Sequence, residues 1–442
     1  MGDTKIQVVD INHRTRCQHC LPPKVSGSRR RSEADAGPPD GGSRAWLVVL
    51  GGFLTYFVTF GLLNSFGTFQ VYYGQELMPH EDESAISWIG SIQLFLLYVG
   101  GLAFGPIFDT RGSKVLFIPG TILFALSLML TSLCDKFYQF ILAQSLLFGI
   151  SDSMLFYPTI SAIPHWFSSR RGLAMGTVLA GSSLGGIAWP LIIKRLLDEV
   201  GFPWTLRIAG FISLILLAPA IILVVPRLPP RRKSDQSNGL PKPDLVAGLK
   251  DLRYWLTVAG MLFVIWGMFI PFGYIPLLAI ERGVDSTFAV SLVSILNAGS
   301  FVGRIATGAM ADSLGKFNMA VGCALISTIL LLSLHAINTK STITAFTFLY
   351  GLTSGGLMTL QSACVAQITR NMQTIGFMIG VMMAVCSIGA LTGTPISGRL
   401  NELPLSGTAP AWVDFAGALM FTGTVFLAAA RISVDSRLYR AI

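Results

Sequence analysis

The chain has 442 residues, of which 52% are hydrophobic and only 12% charged, with a mean hydropathy of +0.63. Soluble domains carry about 25% charged residues, so this composition excludes a water-soluble globule. The net charge of +9 is spread between apolar runs and forms no patch suited to nucleic acid, which points to a lipid bilayer as the partner. Residues 1–43 form a polar stretch containing Pro, Gly, Ser and Arg, expected to be a disordered cytoplasmic tail. The first apolar run begins at Ala45, so no cleavable signal peptide is expected. Cys17 and Cys20, with His13 and His19 nearby, lack a second cysteine pair, and neither a metal nor a cofactor is expected.

Apolar runs long enough to cross a bilayer lie at about 45–73, 85–108, 115–134, 137–163, 172–193 and 205–226. They define a first six-helix half at 44–226. A polar, proline-containing stretch at 227–253 reads as a cytoplasmic linker. Six further runs follow at about 255–279, 287–311, 317–337, 343–366, 375–397 and 412–430, giving a second half at 254–431 and a short tail at 432–442. Twelve spans need roughly 240 residues, which this chain accommodates. With both termini placed inside, 24 of the 32 Lys and Arg residues fall on that side and seven on the other; the excess predicts cytoplasmic termini.

The halves also repeat in residues. Gly105-Pro106-Ile107-Phe108-Asp109-Thr110-Arg111-Gly112 closes the second span of the first half, and Gly308-Ala309-Met310-Ala311-Asp312-Ser313-Leu314-Gly315 closes the second span of the other, offset by 203 throughout. Two parallel six-span repeats describe an all-α transporter fold with its solute site near the midplane between halves. Asp109 and Asp312, with Arg111, Lys114 and Lys316 close in sequence, read as a gate motif that holds helix ends together, since carboxylates favour helix N-termini and basic partners. Plain turn formation around Gly112 and Gly315 is the competing reading.

On these residues the chain resembles the major facilitator superfamily, and three stretches make it similar to the monocarboxylate porter family, in particular its fungal branch. They are Asp40-Gly41-Gly42-Ser43-Arg44-Ala45-Trp46 before the first span, His165 to Gly176 with Ala180-Gly181 leading into the fifth, and Leu296 to Arg304 in the eighth. Animal porters carry an acid four residues before the arginine that matches Arg304; Ser300 stands there in this chain. Their substrate-binding lysine in span one aligns with Asn64. The resemblance implies alternating access by a monomer in the plasma membrane.

Arg304 is the leading substrate-binding candidate, because a guanidinium inside a span is costly unless it faces a cavity or counter-charge, and its planar fork suits a carboxylate. A structural arginine bonded to backbone carbonyls is the rival reading. Asn64, Ser300 and Asn297 are further candidates to line the pore, although interhelical hydrogen bonding is the commoner fate of such groups. Asp152, in the fourth span, is the candidate for carrying a coupled proton. Trp266 and Tyr157 could stack on a solute or simply pack. Gly176, Gly181, Gly185 and Gly186 predict close helix approach along the fifth span. No Walker, G-x-S-x-G or H-E-x-x-H motif occurs, so an enzyme is not expected. The leading expectation is a secondary active or facilitative transporter of a small organic solute, foremost a monocarboxylate or related organic anion, with a proton as candidate co-substrate. The alternatives are an efflux pump for a less polar secondary metabolite and, from another class, a non-transporting nutrient receptor.

Overall fold

A computed structural model describes residues 38–228, 248–369, 371–401 and 410–435. The Cys17 and Cys20 pair, most of the N-terminal tail and the middle of the linker lie outside the described residues.

Hydrocarbon offers no hydrogen bonds, so a spanning segment must satisfy its backbone internally, and among the described residues every regular element is helical. The spans are α1 (Ser43–Leu77), α2 (Ala85–Arg111), α3 (Lys114–Thr131), α4 (Phe137–His165), α5 (171–200), α6 (202–223), α7 (Leu252–Glu281), α8 (Phe288–Leu314), α9 (Lys316–Ser333), α10 (Lys340–Ile368), α11 (Met372–Leu400) and α12 (Ala411–Val434). The outer surface is apolar, with Ile215 70% and Ile222 74% exposed, as a lipid-facing wall requires.

Two helices depart from the sequence reading. The run expected to end near residue 193 continues to Val200, because Lys194 to Glu199 extends it as a polar amphipathic turn with an Arg195–Glu199 pair at 2.8 Å. It stops only at Gly201, whose φ of 75° turns the chain directly into α6 with no intervening loop. The α1 helix is interrupted at Ser65, whose hydroxyl donates to the Gly61 carbonyl at 2.8 Å, and it ends in a wide turn at Tyr73–Leu77.

Within the first half, α1 lies against α5 and α6, α3 against α4 and α6, and α2 against α4. In the second half, α7 lies against α11 and α12, α9 against α10 and α12, and α8 against α10. The halves meet along two symmetry-equivalent seams, α2 with α11 and α5 with α8. Small residues make the approach close, as predicted for α5. A Cβ at Gly181 or Gly185 would sit 2.2 or 2.4 Å from the α1 carbonyls of Phe53 and Phe57, and one at Gly176 would sit 2.1 Å from the Arg304 carbonyl.

Candidate functional site

The two seams are fastened at the end where α1 begins and α12 finishes. Asp109 accepts from the backbone N–H groups of Gly376 (3.0 Å) and Phe377 (2.9 Å), in the first turn of α11. Asp312 accepts from those of Gly172 (2.7 Å) and Leu173 (2.9 Å), in the first turn of α5. Each carboxylate thus reaches across from one half to cap an N-terminus of the other, where unsatisfied N–H groups and the helix dipole favour negative charge. The sequence reading expected helix ends and nearby basic residues as partners; Lys316 does approach Asp312 at 3.8 Å, and the main partners are backbone groups at helix N-termini of the opposite half. Arg111 is exposed. Gly112 (φ 83°) and Gly315 (φ 96°) end α2 and α8 in a left-handed turn. Gly105 and Gly308 let the backbones touch: a Cβ on either would lie 2.2 or 2.3 Å from the carbonyl of Gly376 or Gly172. His165 adds a third crossing, its Nε2 lying 3.2 Å from the Met372 carbonyl.

Deeper in the α5–α8 seam sits Arg304, 4% exposed. Its Nη1 donates to the Leu179 carbonyl and to the Ser182 hydroxyl, both on α5, and its Nη2 approaches the Met358 sulfur at 3.1 Å. The Nε finds no partner among the described residues. Nη1 therefore ties α8 to α5 across the halves, while Nη2 stays within the second half and Nε is unengaged among the described residues.

Asp152 is completely buried in α4, and neither carboxyl oxygen makes a hydrogen bond among the described residues. It forms no ion pair with Arg304. Tyr56 of α1 is within electrostatic reach of both, and of Tyr98 and Tyr157. Beside it is a buried aromatic cluster, in which Tyr56 stacks on Phe60 at 5.5 Å and both rings meet Phe156 of α4 at 5.4 and 5.7 Å. Tyr56 and Thr59 were missed in the sequence; their signal is two hydroxyls three residues apart on one face of an otherwise apolar helix.

The remaining candidates are dispersed. Asn64 is exposed at the break in α1, eight residues and so about 12 Å along the helix from Tyr56. Ser300 faces α10, its hydroxyl 2.7 Å from where a Cβ on Gly355 would sit. Asn297 bonds the Val293 carbonyl at 3.0 Å and faces Gly186 of α5. Tyr157 donates to the Tyr98 carbonyl at 2.7 Å and is a buried strut. Trp266 packs on Gly389 and Phe263, and its indole N–H makes no hydrogen bond among the described residues.

The segment before α1 folds onto the α4–α5 loop. Asp40 accepts from the backbone N–H groups of Ser168 and Ser169, Arg44 lies over the Trp166 ring at 5.7 Å, and Trp46 meets Phe167 edge-on at 5.4 Å. The Trp166 indole in turn donates to the Val225 carbonyl at 2.8 Å. Partial burial pulls the Asp40 carboxyl upward, but the N–H groups at Ser168, Ser169 and Arg170 outweigh it and hold it below its ordinary 3.8. Two stretches that carry the family resemblance are thus one physical clamp.

Two six-helix halves joined along paired seams, with buried charge at the seam, define a membrane transporter of the alternating-access type. The match to the Major Facilitator Superfamily model over residues 48–394 places the chain plainly: it belongs to that family and is an integral membrane transporter. It is 73% identical over 286 residues to the "MFS-type transporter pytF" of Aspergillus terreus, covering 65% of this chain and 95% of that protein. It is 38% identical over 397 residues to the "Aspyridones efflux protein apdF" of Emericella nidulans, covering 89% and 79%. Among solved structures, the transporter FucP in the outward conformation superposes with a TM-score of 0.66 at 15% identity, over 87% of this chain and 98% of that one, a likeness of fold.

Proposed function

We propose that this chain exports a partly apolar organic metabolite across the plasma membrane by alternating access, as a monomer, in exchange for protons carried by Asp152. The observation that carries the reading is the aromatic cluster of Tyr56, Phe60 and Phe156, which would wall the site once it opens, near an arginine whose Nη1 is already engaged across the seam. Such a wall favours aromatic or alicyclic surface by burial and ring stacking. A short monocarboxylate offers such rings little apolar surface, and the Nη1 of Arg304 already donates to Leu179 and Ser182. One relative is named for the efflux of aspyridones, which supports export as the direction of transport. The similarity to monocarboxylate porters remains a likeness of motifs, with Ser300 and Asn64 standing where those porters carry charge.

The excess of Lys and Arg supports a cytoplasmic position for the fastened end, with Asp109 and Asp312. The conformation described is then the one that faces outward. Cargo leaves from this state, and breaking the Asp109, Asp312 and Arg304 contacts reopens the site inward.

The test is purified protein in liposomes, loaded with a panel of labelled aromatic amphiphiles and of short monocarboxylates, with and without a pH gradient. Gradient-driven movement of the amphiphiles, lost in Asp152→Asn, is expected. Transport restricted to short monocarboxylates, or gradient dependence that survives Asp152→Asn, overturns the reading.

A further inference from the structure

Four buried polar oxygens on α1 and α4 find no hydrogen-bond partner among the described residues: Tyr56 Oη, Thr59 Oγ1 and both carboxyl oxygens of Asp152. They belong to one neighbourhood. Tyr56 lies within electrostatic reach of Asp152, and Thr59 faces the Asp152 carboxyl just outside hydrogen-bond geometry. All three side chains are at most 1% exposed. A fifth unpartnered atom, Arg304 Nε, belongs to the side chain that ties α8 to α5, and Tyr56 and Tyr98 are within its electrostatic reach. Buried polar groups are normally paired, and a cluster of unpaired ones marks a place where the pairing changes during function.

We infer that Tyr56 and Thr59 are the positioning residues for the coupling proton of Asp152, and that Tyr56 relays the presence of that proton to the Arg304 tie between the halves. The inference rests on the proposal that Asp152 carries the proton. A hydroxyl both donates and accepts, which a carboxyl that gains and loses a proton requires of its neighbours. With Asp152 protonated, its O–H donates to Thr59 or Tyr56, and the cell is neutral and internally satisfied. With Asp152 ionised, both hydroxyls turn to donate to the carboxylate, forming the stronger charge-assisted bonds.

The charge left in a medium of low dielectric then attracts Arg304 across the seam. Asp152 belongs to the first half and Arg304 to the second, so deprotonation tightens the closed seam and protonation slackens it. Only an O–H bond forms and breaks: the proton enters from the outer solution, resides on Asp152, and leaves to the cytoplasm once the site has turned inward. That order suits an exporter, which releases cargo outward and needs an incoming proton to reset.

Few other groups can interfere. The elements packed against Asp152 present Tyr56 from α1, Tyr98 from α2 and Tyr157 from α4 itself, while Cys386 of α11 reaches Tyr98 and Tyr157. Between Val115 and Thr131, α3 carries no titratable side chain.

The experiment compares wild type, Tyr56→Phe, Thr59→Val, Thr59→Ser and Asp152→Asn in liposomes. It reads the pH midpoint of gradient-driven exchange and the distance between spin labels at Thr110 and Ser313, which are exposed on opposite halves at the fastened end. Losing one donor to the ionised carboxylate moves the midpoint to higher pH by about one unit. We expect that displacement in Tyr56→Phe and Thr59→Val and none in Thr59→Ser. In Tyr56→Phe the label distance also stops responding to pH. Wild-type midpoints in both Tyr56→Phe and Thr59→Val, alongside loss of gradient dependence in Asp152→Asn, overturn this inference alone. Retained gradient dependence in Asp152→Asn removes the proton carrier and the inference with it. Should Tyr56→Phe fail to fold, the Thr59→Val and Thr59→Ser pair decides.

Discussion

Adding one methyl group at the fastened end is expected to push the two halves apart. A Cβ on Gly105 would stand 2.2 Å from the Gly376 carbonyl oxygen, and one on Gly308 would stand 2.3 Å from that of Gly172, where ordinary contact begins at 3.4 Å. Both obstacles are backbone inside helices, so neither can swing aside as a side chain would, and the seam itself must widen by about 1 Å. Overpacking of this kind costs about 1–3 kcal/mol, which corresponds to roughly a 5–150-fold loss in the population of the closed arrangement. Spin labels at Thr110 and Ser313 in a cysteine-free background would report a longer distance in Gly105→Ala and Gly308→Ala, and the longest in the double variant. Gly67→Ala and Gly273→Ala serve as controls, because a Cβ there meets nothing within 4 Å. An unchanged distance distribution in both seam variants would refute the argument that backbone contact keeps this end closed.

Two further outcomes follow from the same geometry. Asp109→Ala and Asp312→Ala each remove two backbone contacts that cap a helix of the opposite half; each is expected to lower stability by about 1–2 kcal/mol, seen in thermal unfolding in detergent, and to lengthen the same label distance. No change in either readout would mean that the caps are incidental. For Asp40 the sign follows from its depressed value. Its stabilisation of the α4–α5 loop is fully present above the unfolded carboxylate range near 3.8 and is lost only as pH falls through the lower folded value. Amide exchange at Ser168 and Ser169, corrected for intrinsic rates, should therefore be faster in Asp40→Asn at neutral pH and converge with wild type in acid. A constant difference at every pH would count against the charge as the cause.

The spans were legible because hydrocarbon imposes a single length and a single hydrogen-bonding rule on each of them, so hydropathy located all twelve. The α5–α6 junction was blurred for a definite reason: Lys194 to Glu199 is polar enough to resemble a loop, yet it is helical, and only Gly201 breaks it. The paired aspartates could be read from the repeat at 105–112 and 308–315, and a helix N-terminus was expected for each, but which helix of the opposite half would supply it could not be read. Those partners are main-chain N–H groups of Gly172, Leu173, Gly376 and Phe377, and no residue pattern advertises a backbone donor. Arg304 shows the same limit. Its burial was evident from its place in an apolar run, whereas the Leu179 carbonyl that receives it has no signature in residue type. Asn64 and Ser300 were chosen by alignment with monocarboxylate porters; in the structure Asn64 is exposed at the break in α1 and Ser300 faces α10. Tyr56 was overlooked because a tyrosine in a span usually packs, and only its lack of a partner sets it apart.

The asymmetry of the inter-half contacts, with a carboxylate on one side and main chain on the other, has a consequence for how such a protein can diversify. Every sequence has a backbone, so the receiving side of each lock is indifferent to which side chains surround it, provided they are small enough. On the proposed reading, substitutions along α1 and α4 alter which molecules are accepted while Asp109 and Asp312 continue to find the same amides at the same places. A lineage can then change its cargo one substitution at a time and keep the machine that moves it.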